Sequence, residues 1–132
     1  MKLFLGEYSH TLDDRGRITL PRKIRQELNA KELILSQGFD QCIFGYALEK
    51  WEDEAGKQLE TSVTDQKARK IRRYMFAAAE KVELDKLGRI VLPAHLKEYG
   101  KIRGDVVILG AGDHFEIWDK KAWESYDRTM EL

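Results

Sequence analysis

The chain has 132 residues, with 23 Lys plus Arg against 23 Asp plus Glu and a formal net charge of zero. That size suits one ordinary domain or two half-size units sharing a core, and the balanced charge excludes a non-specific polycation while leaving room for a localised basic face. The single cysteine, Cys42, excludes an internal disulfide and an all-cysteine metal site, and three scattered histidines add no ligand spacing.

Met1 to Leu5 is too short, and too soon interrupted by Gly6-Glu7, for a signal peptide, and no apolar run is long enough to span a bilayer. A soluble cytoplasmic protein is the expectation. Lys2 to Leu12 alternates loosely and predicts an extended segment. Asp13-Asp14-Arg15-Gly16 then predicts a turn, because Asp favours its opening and Gly accepts the positive φ that follows. A type I turn followed by a left-handed glycine predicts a tight hairpin with a bulge. Arg17-Ile18-Thr19-Leu20 alternates in the strand period, with Ile18 and Leu20 inward and Arg17 and Thr19 outward. Pro21 stops that strand and opens a helix through Ile24 and Leu28, closed by Asn29-Ala30. Glu32 to Ser36 and Gln41 to Tyr46 read as strands joined by a turn at Gly38-Phe39-Asp40. Cys42, beside Ile43 and Phe44, reads as a packing residue.

Ala47 to Glu60 reads as a helix with Leu48, Trp51, Ala55 and Leu59 on one face. Ser62-Val63-Thr64-Asp65 has the form of a capping box opening a second helix to about Ala79, with a buried stripe of Ala68, Ile71, Met75 and Ala78. Its other side carries Lys67, Arg69, Lys70, Arg72 and Arg73, which reads as a solvated face balancing the acidic helix before it.

The chain then repeats itself. Leu84-Asp85-Lys86-Leu87-Gly88-Arg89-Ile90-Val91-Leu92-Pro93 restates Leu12 to Pro21 at a constant offset (85 − 13 = 93 − 21 = 72). The rest of the unit follows, with strands at Lys81 to Leu84, Arg89 to Leu92, Asp105 to Leu109 and Phe115 to Trp118. Helices are expected from Pro93 through Tyr99 and from Lys120 to Tyr126, where Trp123 echoes Trp51. After Pro93 the match needs a shift of one residue, as when a loop takes an insertion. An internal duplication of this kind predicts two units that bury their apolar faces together. The tryptophans and His10 read as structural residues, and His114 as a turn residue.

The repeated loop has two readings. In the first, Asp13 and Arg17, like Asp85 and Arg89, merely brace a turn. In the second, the carboxylate orients an arginine four residues on, so that Arg17 and Arg89 are aimed outward as a pair. Arg15 and Lys86 add a second positive charge beside each. Paired guanidinium groups suit bidentate contact with guanine O6 and N7, and neighbouring cations suit phosphates. Charge is also polarised along the chain: Lys67 to Arg103 holds eleven basic and four acidic residues, and Asp40 to Asp65 holds two basic and seven acidic. An enzyme is not expected, since the sequence has no phosphate-cradling glycine loop, nucleophile elbow or metal-ligand spacing, and Lys86 replaces Asp14 in the second copy. No cofactor and no small-molecule substrate are expected.

Two Asp-x-x-x-Arg motifs in tandem, each followed by an apolar strand and Pro, resemble the MraZ family. Gly6-Glu7-Tyr8, Gly38 to Tyr46, Phe76-Ala77-Ala78-Ala79-Glu80 and Ile117-Trp118 agree with it, so the resemblance covers nearly the whole chain. It implies an α+β fold in which two tandem AbrB-like units form one swapped-hairpin-type β-barrel with flanking helices. The first repeat would span 1–53, a helical connection 54–79 and the second repeat 80–132. It further implies a nucleoid-associated transcriptional regulator, assembled as a ring-shaped homo-oligomer, that binds short direct repeats in double-stranded DNA upstream of the cell-division and cell-wall operon. Arg17 and Arg89 would contact DNA with Arg15 and Lys86 beside them, and Asp13, Gly16, Asp85 and Gly88 would hold the loops. The competing class is an AbrB-like antitoxin or a protein-interaction scaffold with structural Asp–Arg turns.

Overall fold

The computed structural model describes residues 1–129, so the last three residues of the expected second repeat lie outside it. In chain order the elements are β1 (Glu7–Thr11), β2 (Arg17–Thr19), α1 (Arg22–Leu28), β3 (Glu32–Gln37), β4 (Ile43–Tyr46), α2 (Leu48–Leu59) and α3 (Gln66–Ala77). The second unit follows with β5 (Glu80–Glu83), β6 (Arg89–Val91), α4 (Ala94–Tyr99), β7 (Asp105–Gly110), β8 (Phe115–Asp119) and α5 (Lys120–Thr129). The two α-β units are expressed nearly as their sequences predict.

The pairing of the strands departs from expectation. The six-stranded sheet runs β1-β7-β8-β4-β3-β5, all antiparallel, and β2 pairs β6 as a separate two-stranded ribbon. No ladder joins β1 to β2 across the Asp13 loop; β1 pairs β7 of the other unit, and β5 pairs β3. The local hairpin is therefore replaced by pairing between units. Alternation specifies which side chains face inward but not which strand lies alongside, and only exchange puts both apolar faces on one core. Nor do the described strands close into a barrel, because β1 and β5 remain edges of the sheet and the three-residue β2 and β6 are used up on each other.

The duplication becomes a pseudo-two-fold. Exchanging the units maps the sheet order onto itself, and at both places where the axis passes between strands a residue faces its own repeat. Ile18 pairs Ile90 and Phe44 pairs Glu116 (90 − 18 = 116 − 44 = 72); the one-residue shift expected after Pro93 extends through β7 and is taken back in the shorter loop before β8. One core serves both units: Ile18, Leu20, Leu33, Leu35, Ile43, Ile90, Leu96, Phe115 and Ile117 are at most 1% exposed within a single cluster. Burying side chains of this size contributes about 1.5–3 kcal/mol each, which neither unit could supply with its strands donated elsewhere.

Pro21 and Pro93 sit at the N-caps of α1 and α4, where a missing N–H costs nothing. Asn29, left-handed at φ 45°, closes α1 as expected. The capping box is corrected: Asp65, not Ser62, caps α3 by accepting from the Lys67 N–H at 3.0 Å, and Ser62 Oγ turns back to the Thr64 N–H. The stripe expected to be buried on α3 is only partly so. Ala68 is buried, but Ile71 is 49% exposed, because α3 touches α2 and β3 alike and leaves a groove between them. Part of its basic face is structural, since Arg69 and Arg72 donate to the carbonyls of Leu59, Thr61, Val63 and Thr64, closing the C-terminal end of α2.

Cys42 is fully buried and burial pushes its thiol up, so it is a packing residue. His114 lies in the turn before β8. Burial there disfavours its charged form, but hydrogen bonds from its ring to Glu116 and Asp113 prevail and raise its pKa.

Candidate nucleic-acid interface

The two repeated loops have the same internal wiring. In the first, the Asp13 N–H donates to the Arg17 carbonyl at 2.9 Å and the Gly16 N–H to the Asp13 carbonyl at 3.1 Å. Asp13 Oδ1 accepts from the N–H groups of Arg15 (2.9 Å) and Arg17 (2.8 Å), while Oδ2 accepts from Arg17 Nε at 2.8 Å. In the second, Asp85 Oδ1 accepts from Leu87 and Arg89 N–H, both at 2.9 Å, and Oδ2 from Arg89 Nε at 2.7 Å. Each aspartate thus organises the backbone of its loop and grips one edge of an arginine. The backbone bond from the arginine N–H is the leading cause holding both carboxyls below their ordinary pKa, with the guanidinium and the second N–H adding to it. Both are therefore ionised at neutral pH.

This grip has a chemical consequence. Only Nε of Arg17 and of Arg89 is engaged within the described residues, which leaves the terminal guanidinium nitrogens of each as an open fork. Such a fork matches a planar acceptor pair, and holding Nε fixes its orientation before any ligand arrives.

The ribbon then sets the two forks relative to each other. In β2–β6, Arg17 lies opposite Val91 and Thr19 opposite Arg89. The ladder is continued at each end into the other unit's loop: the Leu20 N–H donates to the Gly88 carbonyl and the Leu92 N–H to the Gly16 carbonyl, both at 3.0 Å. Ile18 and Ile90 point into the core, so alternation places Arg17, Thr19, Arg89 and Val91 on the opposite, outward face. Diagonal neighbours on such a face stand roughly 7–8 Å apart, about two base steps of a duplex. The stems of both arginines lie back on the protein, with about a quarter of each side chain exposed (25% for Arg17, 27% for Arg89).

Arg15 and Lys86 are both exposed, but they are not equivalents. The offset places Leu87 at the position of Arg15, and its N–H bonds Asp85 as that of Arg15 bonds Asp13. Three residues here were not singled out in the sequence. Arg25, on α1, bonds the Leu20 carbonyl of its own unit through Nε at 3.0 Å, and its guanidinium lies over Gly88 of the second loop. Leu87 and Val91 are 65% and 56% exposed. The repeat spacing was the signal for those two, since it sets Leu87 against Arg15 and Val91 against Thr19.

Gly16 and Gly88 share a left-handed backbone, at φ +74° and +76°, but not their surroundings. A Cβ at Gly16 meets nothing within 4 Å, whereas one at Gly88 comes within 2.6 Å of Arg25 Cδ. Gly16→Ala should therefore cost only the left-handed penalty, about 1–2 kcal/mol. Gly88→Ala should cost about 1 kcal/mol more, because Arg25 must leave its bond to Leu20. Urea midpoints of the two variants check this, and equal shifts would contradict it.

A family model described as "MraZ protein, putative antitoxin-like" matches the chain twice, over residues 3–74 and 75–132. A transcriptional regulator MraZ from Caldanaerobacter subterraneus subsp. tengcongensis is 38% identical over 130 residues, covering 98% of this chain and 90% of that protein. Transcriptional regulators MraZ from Acetivibrio thermocellus and Limosilactobacillus fermentum are 44% and 40% identical over 124 residues, each covering 94% of this chain and 86% of the relative.

Proposed function

The chain belongs to the MraZ family, and from that premise we propose that it is a transcriptional regulator that binds double-stranded DNA in a sequence-specific way through the β2–β6 ribbon. One observation carries this reading: Arg17 and Arg89 share an outward face, each with Nε held by the aspartate of its own loop and its terminal nitrogens open. A two-stranded ribbon fits the major groove, and arginine forks there take guanine O6 and N7. Arg15 and Lys86 supply phosphate contacts that set register, and Asp13, Gly16, Asp85 and Gly88 hold the loops.

The target is a set of short direct repeats in a promoter, upstream of the cell-division and cell-wall operon, and the protein works in the nucleoid as a ring-shaped homo-oligomer. Multivalency supports that arrangement, because a protomer of zero net charge binds weakly alone while linked copies gain effective concentration. The groove beside α3, about 670 Å³ and lined by Phe39, Phe44, Tyr46, Trp51, Ile71 and Tyr74, offers an apolar surface on which copies associate. Among the described residues no helix is long and apolar enough to cross a membrane.

The test is footprinting and fluorescence anisotropy on the region upstream of the protein's own gene, with a salt series. The expected result is protection of short repeated elements against competitor DNA, with affinity falling as salt rises by a log–log slope of about −0.9 per phosphate neutralised. Binding that ignores sequence, or none at low salt, would favour an AbrB-like antitoxin or scaffold whose Asp–Arg turns are structural.

A further inference from the structure

The body of the protein is pseudo-symmetric, but the chemistry on its outward ribbon is not. On the first copy Arg17 is flanked at two residues by Arg15 and Thr19; on the second Arg89 is flanked by Leu87 and Val91. Leu87 is 65% exposed and Val91 56%, although β6 has a fully buried face available through Ile90. Neither apolar side chain is covered by the fold, and both sit among cations: Val91 directly opposite Arg17, Leu87 between Lys86 and the Arg89 loop stem, with Arg25 behind Gly88. Two exposed apolar side chains on a face that also carries Arg17 and Arg89, with the one carboxylate beside Leu87, Asp85, already taken up by Arg89, suit a ligand that is polyanionic at its edges and carries small apolar groups within. The major groove of DNA is such a ligand, because thymine alone among the bases presents a C5-methyl there.

We infer that the two halves of the ribbon read different base chemistry, with Leu87 and Val91 making the second half a reader of thymine methyl groups. The inference rests on the DNA-binding function proposed above. Val91 contacts a methyl beside the base held by Arg17, and Leu87 one beside the base held by Arg89, each about one or two base steps away by the match of strand rise to base rise. Arg15 and Thr19 give the first half polar contacts in the same places. A protomer built on a two-fold therefore seats in one orientation only, and successive copies on DNA point the same way.

The experiment uses one promoter fragment, from upstream of the protein's own gene, amplified with either dTTP or dUTP, so that the two duplexes differ only in the thymine methyl. Wild type should bind the thymine duplex more tightly by about fourfold for each methyl it buries. Leu87→Arg/Val91→Ser, which removes both apolar contacts from the second half of the face, should lower that ratio by about the whole of this factor. Val91→Ser alone, a single exposed change, should lose part of the ratio and guards against misfolding of the double variant. Because uracil's general effect on duplex shape acts on every variant, only the change in ratio counts. A ratio unchanged in the variants overturns the inference while leaving DNA binding intact. A change in oligomer mass on sedimentation with an unchanged ratio also overturns it, assigning these side chains to contact between copies. Failure of wild type to bind either duplex is a separate result and removes the DNA-binding function itself.

Discussion

Arg17→Ala and Arg89→Ala are each expected to weaken binding to repeat-containing promoter DNA by about five- to 150-fold, the worth of one bidentate arginine–guanine pair. The circular dichroism spectrum and the unfolding midpoint should hardly move. Each side chain is about three-quarters covered, but its one hydrogen-bond partner among the described residues is the aspartate of its own loop, and neither arginine belongs to the core. What is removed is an open fork fixed by Nε, and a fork that is already oriented loses little entropy when it meets a base. Arg→Lys at the same positions should retain most of the salt-dependent affinity and lose discrimination among bases, because an ammonium can hold a phosphate but cannot match O6 and N7 together. Asp13→Asn and Asp85→Asn should fall between, since the amide oxygen can still accept the loop's N–H groups while the charged grip on Nε is gone. Competition anisotropy against scrambled duplexes measures all of these. Unchanged affinity in both alanine variants, with folding intact, would make the loops structural.

The ribbon explains which parts of this protein were legible in its residues. Ile18 and Leu20 could be placed inward, and Gly16 at a positive φ, because strand alternation and turn chemistry act over four or five residues. The partner of β1 could not be read that way. Nothing local distinguishes pairing with β2 across the loop from pairing with β7, nearly a hundred residues on, and the choice is made by the core that both units must share. The barrel failed for the same reason, since closure depends on strand partners and lengths that alternation leaves open. On α3, periodicity correctly marked Ile71 and Met75 as one apolar stripe but could not say that it would face a groove instead of the interior. The loop geometry of the candidate site was legible where the two copies agree, at Asp13, Arg17, Asp85 and Arg89. The exposure of Leu87 and Val91, where the copies differ, was not, nor was the reach of Arg25 across the two-fold to Gly88.

The other large effect belongs to the inward side of the same ribbon. Ile18→Ala and Ile90→Ala are each expected to cost about 2–5 kcal/mol, the range for truncating a fully buried isoleucine whose surroundings relax only in part. Ile18 is 0% exposed and Ile90 1%, and they face each other on the pseudo-two-fold, so every element packed on one is close to the other. Against a total stability of about 5–15 kcal/mol for a domain of this kind, either single variant can remain folded at low temperature. The double variant should cost less than the sum of the two, because the second truncation removes a side chain whose partner has already gone. Urea unfolding of the four proteins closes that cycle. Its value for function lies in the contrast with the neighbouring arginines. Alternation separates adjacent residues onto opposite faces, so Ile18→Ala should shift the midpoint strongly and, where the protein is still folded, leave DNA affinity within a few-fold. Arg17→Ala should do the reverse. If Ile18→Ala at low temperature abolishes DNA binding without unfolding the chain, the ribbon is not a rigid carrier of its outward face. The orientation of Arg17 and Arg89 would then have to depend on the packing beneath them as much as on Asp13 and Asp85.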